Sequence, residues 1–212
     1  EPVLARAFAE KRAPAVALLI NSPGGSPVQS SLIAGRIRQL AQEKKKQVLG
    51  FVEDVAASGG YWLACAADEI FVDRSSILGS IGVVSAGFGF EDAIARLGIE
   101  RRLHSTGEHK GMLDPFRPER PEDVAMLRDI QASIYAAFKA HVRERRGARL
   151  KGDDASLFDG RIWAGDDAVA LGLADGIGDV RNIVRQRFGK EAKLRPLGRP
   201  RPWWQRRLGM DA

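Results

Sequence analysis

Three short apolar runs, each followed by a helical pattern, restrict the possible folds more than any other feature of this sequence. The runs are AVALLI, VLGFV and EIFVD, at 15–20, 48–52 and 69–73. The helical patterns follow at about 28–44, 61–67 and 91–97. Apolar strands that alternate with helices are typical of a parallel sheet covered by helices on both faces. The first half of the chain therefore predicts an α/β fold with a mainly parallel sheet.

A long amphipathic helix is predicted in the second half of the chain. Its apolar residues recur at spacings of three and four, which is typical of a stripe buried against a core. These residues are Val124, Leu127, Ile130, Ile134, Phe138 and Val142. Pro121 suits the first turn of this helix, and Gly147 is expected to end it. Two shorter helices are expected near 166–171 and up to about residue 188.

Length and charge indicate one globular domain with a basic tail. The 212 residues, 44% of them hydrophobic, are enough for a single sizeable core. We assign 1–195 to this domain and 196–212 to a basic tail that contains proline and tryptophan. The net charge is +6, and six basic residues against one acidic residue fall within 193–212. The rest of the chain is close to neutral, which argues against a nucleic-acid-binding protein.

The sequence leaves the relationship to a membrane open. No apolar run approaches the roughly 20 residues that span a bilayer, and no secretory signal is present. The tail stretch PWWQRRLG at 202–209 pairs tryptophan with arginine, which favours peripheral contact with a membrane. Packing on a neighbouring subunit explains the same stretch equally well. We therefore expect either a cytoplasmic protein or a protein held at the membrane. A membrane anchor that precedes Glu1 would fit the membrane-held protein.

The stretch AASGG at 56–60 places Ser58 where a strand meets a helix. Two interpretations fit this position. Serine is among the commonest residues that cap the first turn of a helix. A serine with small neighbours at such a junction also suits nucleophilic attack, because the unpaired amides of the helix start lie close to it. The stretch taken by itself favours the cap.

The stretch NSPGGS at 21–26 follows the first strand and precedes a helix. Its proline and glycines predict a tight turn whose backbone amides can face a ligand, although an ordinary connecting turn has the same composition. A phosphate-binding loop is excluded, because no Gly-Lys-Ser/Thr follows. The histidines His104, His109 and His141 form no metal-binding motif, so we expect neither a metal nor a cofactor. A Ser–His arrangement through His104 or His109 is still open at this point.

Lys110 lies in the loop GEHKGMLDPF at 107–116. The ordinary role of a lysine is a solvated surface charge. The apolar residues that follow it, Met112, Leu113 and Phe116, favour instead a loop that folds inward. A lysine ammonium withdrawn from water releases its proton more readily, and a neutral amine can accept the proton of a serine hydroxyl. Such chemistry needs neither a histidine nor a metal.

Four stretches in register resemble the signal peptide peptidase (protease IV) family of serine peptidases. They are INSPGGS at 20–26, VEDVAASGGYWLACAADEI at 52–70, GSIGV at 79–83 and GEHKGMLDPFRP at 107–118. The order and spacing of Ser58 and Lys110 match the short members of that family. The resemblance implies a Clp protease/crotonase-like fold, which is a spiral of ββα units, and it implies a homo-oligomer. The first strand that is usual in the family would lie before Glu1.

The resemblance also implies a role for each matching site residue. Carried over position by position, it makes Ser58 the nucleophile and Lys110 the general base. Ser80 matches a serine that holds the lysine amine toward the nucleophile. The oxyanion hole would consist of the backbone amides of Gly25 and Gly59.

The implied substrate is a short hydrophobic peptide, such as a remnant signal peptide. It would lie as an added strand beside Gly24 and Gly60, whose missing side chains leave it room, and along Ile81, Gly82 and Val83. The small residues around Ser58 are expected to leave space for an apolar substrate side chain.

Two other functions fit the same fold. A catalytically silent scaffold would organise membrane-associated assemblies, and an acyl-CoA enzyme would use the same oxyanion hole. The presence of both Ser58 and Lys110 argues against the scaffold. No stretch of the sequence suggests a CoA site, which argues against the acyl-CoA enzyme.

Overall fold

The computed structural model describes residues 2–198. Within this range the strands are β1 (Ala15–Ser22), β2 (Gln47–Ala57), β3 (Glu69–Val72), β4 (Ile77–Gly79), β5 (Ile162–Ala164) and β6 (Gly176–Ile177). The helices are α1 (Pro2–Ala9), α2 (Pro27–Lys44), α3 (Gly59–Ala64), α4 (Glu91–Arg96), α5 (Pro121–Arg146), α6 (Asp154–Leu157), α7 (Gly165–Ala170) and α8 (Val180–Phe188). A short 3-10 turn, Gly147–Arg149, follows α5.

Two expectations from the sequence, the basic tail and the lack of a membrane-spanning run, are compared here with residues 2–198. The basic tail predicted for 196–212, with its PWWQRRLG stretch, lies outside the described residues from 199 onward. Within 2–198, no helix is both long enough and apolar enough to cross a bilayer.

Strand β2 is the centre of the sheet. β1 runs parallel along one edge of β2 over almost its whole length. The other edge of β2 pairs first with β3 and then, further along, with β4, both in parallel. β6 extends the sheet in parallel beyond β3, and β5 pairs antiparallel with β4 at the opposite end. The predicted mainly parallel α/β sheet is confirmed.

The helices with strong sequence signals are confirmed close to their predicted boundaries. The Ser26 hydroxyl caps α2 by accepting a hydrogen bond from the backbone of Gln29, and Pro27 occupies the first helical position. α5 ends at Gly147, as predicted. Helix α1 was not predicted, and it packs its Phe8, which is 1% exposed, into the main core.

The apolar stripe of α5 is only half buried, so the prediction that all of it lies against a core is wrong for the single chain. Phe138 and Val142, near the end of the helix, belong to the main core. Ile130, in the first half, is 50% exposed. The physical reason lies in the preceding chain, because no residue from 82 to 122 is buried and this stretch covers little of the helix.

A buried ion pair holds the end of α5 to the rest of the fold. The Arg146 side chain is 1% exposed and donates two hydrogen bonds to the Asp175 carboxylate, at 2.7 and 3.1 Å. It donates a third to the carbonyl of Gly172. Burial alone would raise the pKa of Asp175, but the hydrogen bonds from Arg146 and from the backbone of Ile70 hold that pKa below its ordinary value. The pair thereby joins α5 to the chain segment between α7 and β6.

Removing the Asp175 charge is expected to destabilise the protein strongly. Asp175→Asn leaves the Arg146 guanidinium buried without its counter-charge, which typically costs about 3–5 kcal/mol. The matched control is Asp166→Asn, because Asp166 pairs with Arg74 at the surface and such pairs contribute about 0–1 kcal/mol. Urea unfolding of both variants measures the difference. A loss below about 1 kcal/mol for Asp175→Asn would show that the pair is not needed for stability.

Candidate active site

Ser58 sits at the junction of β2 and α3 in a strained backbone conformation. Its φ is 50° and its ψ is −122°, in a region that residues other than glycine rarely adopt. Its N–H donates to the carbonyl of Gly79 at 2.8 Å, and its carbonyl accepts from the N–H of Trp62 at 3.0 Å. The side chain makes no capping hydrogen bond. Ser58 therefore occupies the capping position without capping the helix, and its partly exposed hydroxyl is left available.

The turn at 21–26 approaches Ser58 so closely that only glycine fits at one position. Gly24 has a φ of 124°, and a Cβ on it would lie 2.9 Å from the Cβ of Ser58 and 3.2 Å from the Ser58 Oγ. The start of α3 is equally close to this turn. A Cβ on Gly59 would lie 3.3 Å from the Gly25 nitrogen, and one on Gly60 would lie 2.2 Å from the carbonyl oxygen of Ser22.

Two backbone amides beside Ser58 are available for a ligand. Among the described residues the Gly25 N–H donates to no protein acceptor. Gly59 is the first residue of α3, where an amide has no acceptor within its own helix. The two residues lie next to each other across the turn, as the close approach of Gly59 to the Gly25 nitrogen shows. Paired amides of this kind can bind the negatively charged oxygen that forms when a serine attacks a carbonyl.

Ser80 lies beside Ser58 because of the register of two strands. β2 and β4 pair Ala57 with Gly79, which are their last residues, and the residue that follows each strand is a serine. Ser80 has a φ of 51°, close to that of Ser58, and its N–H donates to the carbonyl of Arg161. Ile81 is buried directly after it, and Gly82 and Val83 are partly buried.

The structure does not bring Lys110 to this group in the single chain. The lysine is exposed, and within 2–198 its ammonium makes no hydrogen bond or ion pair with Ser58, Ser80 or another residue. The sequence predicted a loop that folds inward. Met112 and Leu113 are partly buried, but Lys110 itself lies at the surface.

The stretch of chain that carries Lys110 also exposes large apolar side chains. We call 82–122, the stretch without a buried residue, the exposed segment. Large apolar side chains in it are exposed by more than a third of their area: Val84, Phe88, Phe90, Leu97, Ile99 and Phe116. Phe90 contacts the rings of Phe88 and Phe116, with centroids 6.0 and 5.6 Å apart. Phe88, Phe90 and Phe116 thus form an apolar patch that the described chain leaves largely uncovered.

A stack of aromatic side chains that was not predicted from the sequence lies beside Ser58. Trp62, on α3, stacks on Phe138 and His141 of α5, with ring centroids 4.8 and 5.2 Å apart. The His141 Nε2 lies 3.1 Å from the carbonyl oxygen of Trp62. Burial lowers the pKa of His141, so the ring is mainly uncharged at neutral pH. The sequence indicates this stack only weakly: Phe138 and His141 are three residues apart on a predicted helix and so lie on the same face.

Arginines hold the other end of α3. Arg145 donates to the carbonyls of Cys65 and Ala67, and Arg38 donates to the carbonyl of Ala66. Positive charge at the end of a helix interacts favourably with its dipole and with its unpaired carbonyls. Burial raises the pKa of the Cys65 thiol to about 12, so this cysteine is an unreactive part of the core.

The chain is similar to known peptidases and also to proteins that carry another name. The profile of peptidase family S49 matches residues 40–195. Serine protease SPPA, chloroplastic, of Arabidopsis thaliana is 31% identical over 90% of this chain, and Protease 4 of Haemophilus influenzae is 31% identical over 87%. A Brucella abortus protein named Na(+)/H(+) antiporter NhaA is 52% identical over 99% of this chain. The chain spans 29% of the length of each of these three proteins.

The close approach of α3 to β1 gives a test of the site geometry. In Gly60→Ala the added methyl group meets the backbone carbonyl of Ser22, which cannot rotate away, so we expect a loss of at least about 2 kcal/mol. Gly35→Ala is the control, because Gly35 lies within α2 with open space around it and alanine favours a helix by about 0.5–1 kcal/mol. Thermal and urea unfolding should therefore move in opposite directions for the two variants. Equal stability of Gly60→Ala and the parent protein would contradict the packing described here.

Proposed function

The chain belongs to peptidase family S49, the signal peptide peptidase family with a Clp protease/crotonase-like α/β fold, and from this premise we propose that it is a serine endopeptidase. Its substrates would be short hydrophobic peptides such as remnant signal peptides. The observation that carries the proposal is the hydroxyl of Ser58, which caps no helix and lies beside the available amides of Gly25 and Gly59.

The proposed reaction runs through an acyl-enzyme. The Ser58 Oγ attacks the peptide carbonyl carbon while its proton passes to the neutral amine of Lys110. The carbonyl oxygen becomes negatively charged and accepts hydrogen bonds from the Gly25 and Gly59 amides. The C–N bond then breaks as Lys110 returns the proton to the leaving nitrogen. Water then gives a proton to the same amine and attacks the ester carbon. The bond from that carbon to the Ser58 Oγ breaks as Lys110 returns the proton to Oγ, which releases the acid and restores both side chains. The Ser80 hydroxyl would orient the amine.

We further propose that assembly of several copies brings a Lys110 to each Ser58. Two features support this. Lys110 is exposed in the single chain, and the exposed segment carries apolar side chains that the described chain does not cover. Burying that patch between copies would stabilise a homo-oligomer and would withdraw the lysine from water.

Peptide substrate would bind mainly through its backbone. The turn at Gly24 and Gly25 and the stretch 81–83 lie on either side of Ser58. An extended peptide between them could hydrogen-bond to main-chain groups, as in other cases of strand addition. This proposal accounts for the lack of bulky side chains in the turn.

A catalytically silent scaffold is the second candidate. The exposure of Lys110 in the single chain favours it, because a nucleophile without a base would be inactive. The two candidates differ in whether Ser58 reacts.

Removing either proposed catalytic side chain should abolish most turnover. Ser58→Ala removes the nucleophile and Lys110→Ala removes the base, and each should lower kcat/KM for a fluorogenic hydrophobic peptide by at least about 100-fold. Lys110→Arg should be equally inactive, because a guanidinium stays charged. The controls Ser75→Ala and Lys190→Ala change exposed residues elsewhere and should keep full activity. Full turnover in both Ser58→Ala and Lys110→Ala would refute the mechanism.

Mixed oligomers test where the lysine comes from. Ser58→Ala and Lys110→Ala chains, unfolded and refolded together, should recover part of the parental activity, because some sites then combine an intact serine with an intact lysine from a neighbour. Refolding each variant alone should recover none. Absence of recovery in verified mixed oligomers would place the lysine in the same chain as its serine.

A further inference from the structure

A small recess adjoins Ser58, and the aromatic side chain of Trp62 forms part of its lining. Its volume is about 20 Å³. Residues from the turn, from α3, from the stretch after β4 and from α5 line it, chiefly Gly25, Ser58, Gly59, Trp62, Val83 and Ile134. A space of this size holds about one water molecule or one methyl group.

The indole of Trp62 is held in its place beside the recess by its neighbours. It is 6% exposed and lies nearly parallel to the rings of Phe138 and His141, at interplanar angles of 20° and 19°. Phe138 is itself only 3% exposed. Rotating the indole away from the recess would break both stacks and open a void in a packed core, which is costly.

The position of the recess relates it to one residue of a bound peptide. In the proposed reaction the attacked carbon lies about 3–3.5 Å from the Ser58 Oγ. Its oxygen points to the amides of Gly25 and Gly59. The side chain on the neighbouring Cα, which belongs to the acyl side of the cleaved bond, must then enter the space that adjoins all three groups. The recess is the candidate for that space, because Gly25, Ser58 and Gly59 all line it.

We propose that Trp62 restricts the residue on the acyl side of the cleaved bond to a small side chain, namely glycine, alanine or serine. This inference rests on the proposed peptidase function and narrows its substrate class. It also modifies the sequence-based expectation of room for an apolar side chain, because a methyl group fits the recess and a leucine side chain does not. Each methylene that a pocket cannot accept typically changes kcat/KM by about 10–200-fold.

The test uses the full chain and internally quenched peptides that differ only at this residue, which is alanine, valine or leucine. The parent protein should cleave them in the order alanine, valine, leucine, with at least about a 10-fold difference in kcat/KM between alanine and leucine. Cleavage at the chosen bond is verified by mass spectrometry.

Three variants, one on α3 and two on α5, test whether the lining of the recess causes the preference for a small side chain. Trp62→Ala removes the aromatic side chain, but it also opens the core and can prevent folding. Ile134→Ala shortens a partly buried side chain that lines the recess, so it tests the inference even if Trp62→Ala does not fold. It should raise kcat/KM for the leucine peptide, relative to that for the alanine peptide, by about 10-fold. Val142→Ala is the control, because Val142 is buried on the same helix but does not line the recess. It should lower stability and leave the preference unchanged.

Each outcome decides a different claim. The predicted order, together with its relaxation in Ile134→Ala but not in Val142→Ala, supports the inference. Cleavage of the leucine peptide as fast as the alanine peptide by the parent protein overturns the inference and leaves the peptidase function standing. Failure to cleave any peptide, together with failure of a fluorophosphonate to label Ser58, overturns the peptidase function and the inference with it.

Discussion

The left-handed backbone at Ser58 is the constraint on which the candidate site depends. Such a conformation costs about 1–3 kcal/mol for a residue other than glycine, so the surrounding structure must hold it. The Ser58 N–H is fixed by its hydrogen bond to the Gly79 carbonyl. The close approach of Gly24 restricts the space around the Ser58 side chain. Without this turn, the hydroxyl could not stand beside the amides of Gly25 and Gly59.

Helix α3 connects this turn to the rest of the molecule. Its first residues carry the site, and Arg38 and Arg145 hold the carbonyls of Ala66 and Cys65, directly after its last turn. Between the two ends, Trp62 packs on α5, whose own end is held by the buried pair of Arg146 with Asp175. The nucleophile and the wall of the recess therefore belong to one packed unit. The exposed segment, which carries Lys110, contributes no buried residue to it.

The sequence predicted those features that have a local signal. Long apolar runs, helical patterns, Pro121 and Gly147 predicted β1 to β3, α2 and α5, because each reflects a preference of a few neighbouring residues. Strands β4 to β6 were missed, since two or three residues have no periodicity and these strands are defined by pairing with distant chain. The stack of Trp62 on α5 was missed for the same reason. Gly24, Gly25, Ser58 and Gly59 lie close together in the structure. Lys110 lies at the surface, because the exposed segment that carries it packs no residue into the core.

The account rests on a lysine amine that reaches the Ser58 hydroxyl in the assembled protein. The most direct measurement is the distance between each Ser58 Oγ and the nearest Lys110 Nζ in an electron cryo-microscopy structure of the oligomer. The account predicts a distance of about 2.6–3.2 Å, with the amine covered by protein. An assembly in which every Lys110 amine lies in solvent, away from all Ser58 hydroxyls, would contradict it.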